Sequence, residues 1–271
     1  MSSASVIQPG DLALAPGVVL IDCRFSLADP LQGQALYRQG HIPGAYFLDL
    51  NTDLAGPVQR YGGRHPLPDA DGFASKLASL GVGPDTDVVA YDDSRLAFSA
   101  RLWWLMRSLG FKPPRLLDGG YQAWLALGQE PELNDAPAAN ACAPVSGSVF
   151  SGVCDIEGLK QAQQRGALLL DSREERRYRG LEEPIDPVAG HIPGAINRPW
   201  QGVTSATGIV GNTPQQREHL GDALDAGELV VYCGSGVTAC VNLFSLALAG
   251  REAATLYAGS WSDWCSYLDG D

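Results

Sequence analysis

Short apolar runs recur along this chain, each closed by a polar or aromatic residue and followed by a stretch with helical spacing. Val18-Val19-Leu20-Ile21 ends in Asp22, Val88-Val89-Ala90 in Tyr91, Leu168-Leu169-Leu170 in Asp171, and Leu229-Val230-Val231 in Tyr232. Runs of this kind alternating with helical patterns predict an α/β fold, with parallel strands joined by crossover helices. After Tyr232 the pattern changes. Cys233-Gly234-Ser235-Gly236 breaks the strand, and Val237, Val241, Phe244 and Leu248 then follow at intervals of four, three and four. That stripe predicts a helix with Gly250 just past its end.

The patterns occur twice. Gly40-His41-Ile42-Pro43-Gly44-Ala45 returns as Gly190-His191-Ile192-Pro193-Gly194-Ala195, each downstream of a strand ending in Asp. Leu117-Asp118-Gly119-Gly120-Tyr121 and Tyr257-Ala258-Gly259-Ser260-Trp261 close the two halves. The offset is about 150 residues early and about 140 later, a period far too long for a solenoid, so the chain reads as duplicated domains. Gln129 to Ser151 holds Pro131, Pro137 and Pro144 and no apolar period. It reads as a linker, giving domains over 1–129 and 151–271 with 130–150 between them.

Composition narrows the function classes. The chain has 271 residues, 45% of them hydrophobic, enough for two cores. No run approaches the roughly 18 apolar residues of a membrane span. The first basic residue is Arg24, so the N-terminus lacks the charge of a secretory signal, and a cytoplasmic protein is expected. The six cysteines form no CxxC pair and no zinc spacing, which predicts free thiols and no metal; all but Cys233 read as small buried apolar residues. A net charge of −12 repels phosphate backbones, so nucleic acid is an unsuitable partner. An anionic substrate would need a local cationic pocket. Arg173, Arg176, Arg177 and Arg179 form the densest cationic cluster, although Glu174 and Glu175 could equally make it a solvated helix face.

Cys233 stands where a parallel strand gives way to a helix, the position at which open α/β sheets bind ligands. Gly234 and Gly236 allow the backbone to curl with its N–H groups inward, and the helix start adds partial positive charge. Both effects favour a thiolate, hence a nucleophile. A core thiol in a tight turn is the plainer alternative.

The loop Cys233-Gly234-Ser235-Gly236-Val237-Thr238-Ala239, the paired Gly-His-Ile-Pro-Gly-Ala motifs and the two closing segments resemble the tandem-domain rhodanese family, and within it the 3-mercaptopyruvate sulfurtransferases. The resemblance covers almost the whole chain. It implies two tandem rhodanese-like domains, each a parallel sheet with helices on both faces. It also implies a catalytic second domain, a silent first domain with Asp92 at the cysteine position, and a cofactor-free double displacement through a Cys233 persulfide. The donor would be a small sulfur-bearing anion, the acceptor cyanide, a thiol or thioredoxin, and the protein a monomer with no membrane partner.

Arg177-Tyr178 matches the family's substrate-binding pair, with Gly234, Ser235, Gly236, Val237 and Thr238 cradling the sulfur. The second arginine that follows a Glu-Pro in the mercaptopyruvate enzymes is replaced here by Ile185, after Glu183-Pro184. Against that, the neutral Gly234-Ser235 lacks the cations of thiosulfate-specific loops, so mercaptopyruvate is favoured over thiosulfate. The family's serine–histidine–aspartate relay maps onto Ser235, His41 and Asp29, with His41 alternatively a turn residue like His191. His65, in Arg64-His65-Pro66-Leu67-Pro68, lies in a loop that could also approach the cleft, and receives no role. A phosphatase of the same fold would need an arginine at the loop's far end, where Thr238-Ala239-Cys240 stands. A non-catalytic scaffold would have lost Cys233.

Overall fold

The repeated apolar runs form the centres of two separate sheets in the computed structural model, which describes residues 5–12 and 17–268. The first sheet contains β1 (Val6–Ile7), β2 (Val18–Asp22), β3 (Tyr46–Phe47), β4 (Asp87–Tyr91) and β5 (Arg115–Leu117), in the order β1-β5-β4-β2-β3. The second contains β6 (Val153–Cys154), β7 (Leu168–Asp171), β8 (Ala195–Asn197), β9 (Leu229–Tyr232) and β10 (Thr255–Tyr257), in the equivalent order β6-β10-β9-β7-β8. Every pairing is parallel. The duplication is therefore one of topology as well as of motifs.

Helices α1 (Gln32–Gln39), α2 (Ala70–Ser79), α3 (Ser99–Ser108) and α4 (Gly120–Leu125) clothe the first sheet. Helices α5 (Ile156–Gln164), α6 (Glu175–Tyr178), α7 (Thr213–Leu220), α8 (Ala239–Leu248) and α9 (Ser260–Cys265) clothe the second. None of the described helices is long and apolar enough to cross a membrane. One face of each sheet has its own core, around Leu20, Val89 and Tyr91 in the first domain and Leu169, Val230 and Tyr232 in the second. The other two faces share a single core through α3 and α8, where Trp103 meets Phe244 edge-on with ring centroids 5.2 Å apart. For that reason α8 is buried from Ala239 to Ala247 on all sides, and not only along the stripe that its sequence predicts.

The duplicated Asp-x-Arg pair at each first strand end makes the same device twice. Arg24 bonds Asp22 and the Gly40 carbonyl and lies 4.0 Å over the Tyr121 ring; Arg173 bonds Asp171 and the Gly190 carbonyl and lies 4.7 Å over Trp261. Each arginine thus ties a strand end, the His-Ile-Pro turn and the closing helix together. Residues 129–152 contain no helix or strand, but they do not hang free. Glu132 and His41 exchange backbone hydrogen bonds, Cys142 N–H donates to the Ala78 carbonyl, and Ser148 N–H donates to Asp71.

Candidate active site at the interdomain cleft

β9 delivers Cys233 to the floor of a cleft of about 600 Å³ between the domains. Phe25, Leu27, Arg64, Ala97 and Phe98 line it from the first domain, and Arg177, Ile185, Trp200 and Cys233 to Ser235 from the second. Cys233 is 1% exposed, with its N–H donating to Ser260 Oγ and its carbonyl accepting from Trp261 N–H. Gly236 has φ +76°, and a Cβ there would lie 2.2 Å from the Ala258 carbonyl oxygen, so only glycine lets the loop pass the closing segment. The N–H groups of Gly234 to Val237 find no acceptor in the described protein.

The equivalent loop of the first domain shows what such a turn holds. Asp92 occupies the cysteine position, and its carboxylate accepts from the N–H groups of Ser94, Leu96, Phe98 and Ser99 and from Ser99 Oγ, at 2.8–3.1 Å. The loop is an anion cradle, and in this domain the anion is built in.

Two guanidiniums face the Cys233 loop from opposite domains. A methyl group built on Gly234 would lie 3.1 Å from Arg64 Nη2 and 3.5 Å from both terminal nitrogens of Arg177. Arg177 Nη2 donates to Glu183 at 2.7 Å and to Asp186 at 3.0 Å, and Arg64 Nη1 pairs with the other oxygen of Asp186. Arg173 bridges Asp171 and Glu183 beneath them. The network holds three guanidiniums (Arg64, Arg173, Arg177) and three carboxylates (Asp171, Glu183, Asp186). Burial, and then the charge of Arg177, lowers the Arg64 guanidinium from the usual arginine range. Arg176 lies at the exposed rim of the cleft and pairs there with Glu182, while Arg179 pairs with Glu175 on the surface.

His65 follows Arg64 and places Nδ1 2.8 Å from Ser235 Oγ. Burial, together with Arg101 and Arg64, pushes its imidazole down to about 4, so it is neutral at neutral pH. Arg101, fully buried on α3, donates to the carbonyls of Leu54 and His65 in its own domain and of Gly236 in the cysteine loop. It therefore braces the His65 loop against the Cys233 loop.

The structure brings Cys233, Ser235, Arg177 and the loop from Gly234 to Thr238 to one cleft. It does not bring His41 or Asp29 there. His41 is buried, stacks on Tyr37 and places Nδ1 2.8 Å from the Tyr37 carbonyl, while His191 does the same with Tyr178. Both fix the Ile-Pro-Gly turn. Asp29 is exposed and caps its own loop through Leu31 N–H. Tyr178, the aromatic half of the Arg-Tyr pair, spends its hydroxyl on the Ala195 carbonyl. Cys142 is exposed and Cys154 half-buried, against the expectation of burial; Cys23, Cys240 and Cys265 are buried. Sequence reasoning missed Arg64 and Arg101; it placed the His65 loop within reach of the cleft but gave His65 no role. The adjacent Arg64-His65 after the Gly62-Gly63 doublet was the available signal.

A twofold α/β protein with a loop cysteine at a cleft between an intact and a self-occupied anion cradle is the class that fold and site define. The model of the rhodanese-like domain matches residues 11–127 and 155–267, and the chain belongs to the rhodanese family. A Pseudomonas aeruginosa protein named "Probable 3-mercaptopyruvate sulfurtransferase" is 45% identical over 97% of this chain and 96% of its own. A Mycobacterium tuberculosis protein named "Putative thiosulfate sulfurtransferase SseB" is 39% identical over 97% of this chain and 91% of its own. The solved 3-mercaptopyruvate sulfurtransferase of Leishmania major superposes with a TM-score of 0.87 at 27% identity, covering 99% of this chain and 76% of that one.

Proposed function

We propose that this chain is a sulfurtransferase that takes sulfur from 3-mercaptopyruvate onto Cys233 and passes it to a thiophilic acceptor. The observation that carries the reading is Cys233 on the cleft floor in a loop with unused N–H groups, beside two guanidiniums. The Cys233 thiolate attacks the donor sulfur, the carbon–sulfur electron pair passes to the enolate of pyruvate, and that enolate takes up the sulfhydryl proton. Pyruvate leaves, and Cys233 carries a perthiolate whose charge the N–H groups of the loop stabilise. Cyanide, a thiol or a dithiol such as thioredoxin then attacks the outer sulfur, the sulfur–sulfur bond breaks, and the Cys233 thiolate returns. Ser235, backed by neutral His65, is placed to move the proton.

The donor preference follows from charge. The network beside Cys233 matches every guanidinium with a carboxylate. It suits a monoanion such as mercaptopyruvate better than thiosulfate, a dianion that calls for excess positive charge. The first domain, with Asp92 filling its cradle, is catalytically silent and walls the cleft. We also read the protein as a cytoplasmic monomer without cofactor.

Intact-mass analysis after incubation with donor tests the reading. The wild-type chain should gain about one sulfur from mercaptopyruvate, and Cys233→Ala none. Its kcat/KM for mercaptopyruvate should exceed that for thiosulfate at least tenfold. A Cys233→Ala chain that still turns over donor would end the persulfide mechanism, and a preference for thiosulfate would end the charge argument.

A further inference from the structure

We infer that Arg64, a residue of the first domain, is the second cation of the donor site and grips the donor's carboxylate together with Arg177. The inference deepens the function proposed above and rests on it.

Each of the two guanidiniums is anchored at one end and free at the other. Asp186, with its side chain 2% exposed, takes Arg64 Nη1 on one oxygen and Arg177 Nη2 on the other. This locks the pair side by side. Arg64 Nη2 and Arg177 Nη1 are left without an acceptor among the described residues. Arg64 Nη2 lies 3.1 Å from the Cβ position of Gly234, next to the nucleophilic sulfur, and Arg177 Nη1 lies 3.5 Å from it, as does the anchored Arg177 Nη2. A carboxylate has two oxygens on one planar carbon, and two converging N–H donors on separate guanidiniums can take one oxygen each. A donor held that way by its carboxylate is brought to the residue adjoining Cys233.

The first domain supplies this arginine through a segment seated on the second. Gly62 N–H donates to Asp263 Oδ1 at 2.7 Å, Arg64 N–H to Ser262 Oγ at 3.1 Å, and Tyr61 stacks on Tyr267 with centroids 4.7 Å apart. Gly63, at φ +80°, approaches so closely that a Cβ would stand 2.4 Å from the Gly259 carbonyl oxygen. The other oxygen of Asp263 accepts from Tyr257 at 2.6 Å, so the seat is itself fixed. At the position where a second cation could come from the second domain's own chain, the cleft presents the apolar side chain of Ile185. The cation missing from that rim arrives across the interface.

The test separates the two half-reactions in the full-length protein. Persulfide formation from 3-mercaptopyruvate, discharge of the loaded persulfide by dithiothreitol, and inhibition by the carboxylate product pyruvate are measured for wild type, Arg64→Ala and Arg64→Lys. Loading uses prolonged incubation with saturating mercaptopyruvate followed by desalting. A charge-assisted hydrogen bond lost from the carboxylate predicts a kcat/KM for loading reduced about 10- to 100-fold in Arg64→Ala. It also predicts a pyruvate Ki raised by a similar factor, discharge within about threefold of wild type, and partial recovery in Arg64→Lys. Equal losses in loading and discharge would mark Arg64 as a structural residue and overturn the proposal, as would an unchanged Ki. A wild-type chain that thiosulfate loads and mercaptopyruvate does not would instead overturn the functional reading itself, a result independent of the variants.

Discussion

His65 illustrates how much of the site rests on a single ionisation state. His65 is held near 4 by burial and by the flanking arginines, against 6.5 when free. Its folded pKa lies below its unfolded one, so the unfolded chain takes up the proton first as pH falls. The stability held above pH 6.5 is therefore lost progressively between about 6.5 and 4, by up to about 3 kcal/mol. Urea denaturation of wild type and His65→Asn across that range should show a shallower pH dependence in the variant; parallel curves would mean that His65 titrates alike in both states. Ser235 depends on the same neutral imidazole. Ser235→Ala should lower the rate of persulfide formation about 10- to 100-fold at pH 7.5, the order expected for losing a positioned proton carrier, with a smaller change in KM. Arg177→Ala should act mainly on KM, because its lost contacts are to the donor's anion and not to the reacting sulfur.

The two strand–loop–helix elements have opposite solutions to one electrostatic problem. In the first, Asp92 fills its cradle with five hydrogen bonds; in the second, the corresponding N–H groups find no acceptor among the described residues. Asp92→Ala would strand buried donors and should cost about 3 kcal/mol or more, seen as a lower urea midpoint, while activity per folded molecule is retained. An unchanged midpoint would show that the carboxylate does not organise the loop. This level of structure was the most legible from sequence. Buried strands, the helix after Cys233 and the paired turns follow from local apolar runs, glycines and exact repetition. The repetition also offered the right alternative for His41, a turn residue like its twin His191, which makes the same bond to a backbone carbonyl; the relay role came from the family resemblance. The partners of the loop carrying Arg64 and His65, a loop expected only to come near the cleft, were illegible for the opposite reason. The loop has no apolar period, and its partners Asp263 and Ser235 lie 201 and 170 residues away in the chain. No local pattern encodes such a contact; it exists only once the domains have docked.

That docking makes the whole molecule the functional unit. α3 and α8 share one core, and Trp103 is fully buried in it against Phe244. Arg95, held at φ +60°, reaches from the Asp92 loop to Thr204 of the second domain and lies over Trp200, a residue of the cleft wall. Arg101 joins the His65 loop to the Gly236 carbonyl from inside that same core. Neither sheet can lose its partner without exposing the common apolar face, so heat or urea should unfold both domains in one transition. Trp103→Ala removes one of the two tryptophans of that core and should destabilise by about 3–5 kcal/mol. The loss should register equally in probes of either domain, and persulfide formation should fall in step with it, since Arg64 and His65 reach Cys233 only across the docked interface. Two separated transitions in the wild type, or a Trp103→Ala chain whose second domain melts at its original midpoint, would show instead that the domains fold independently and that the cleft is assembled only afterwards.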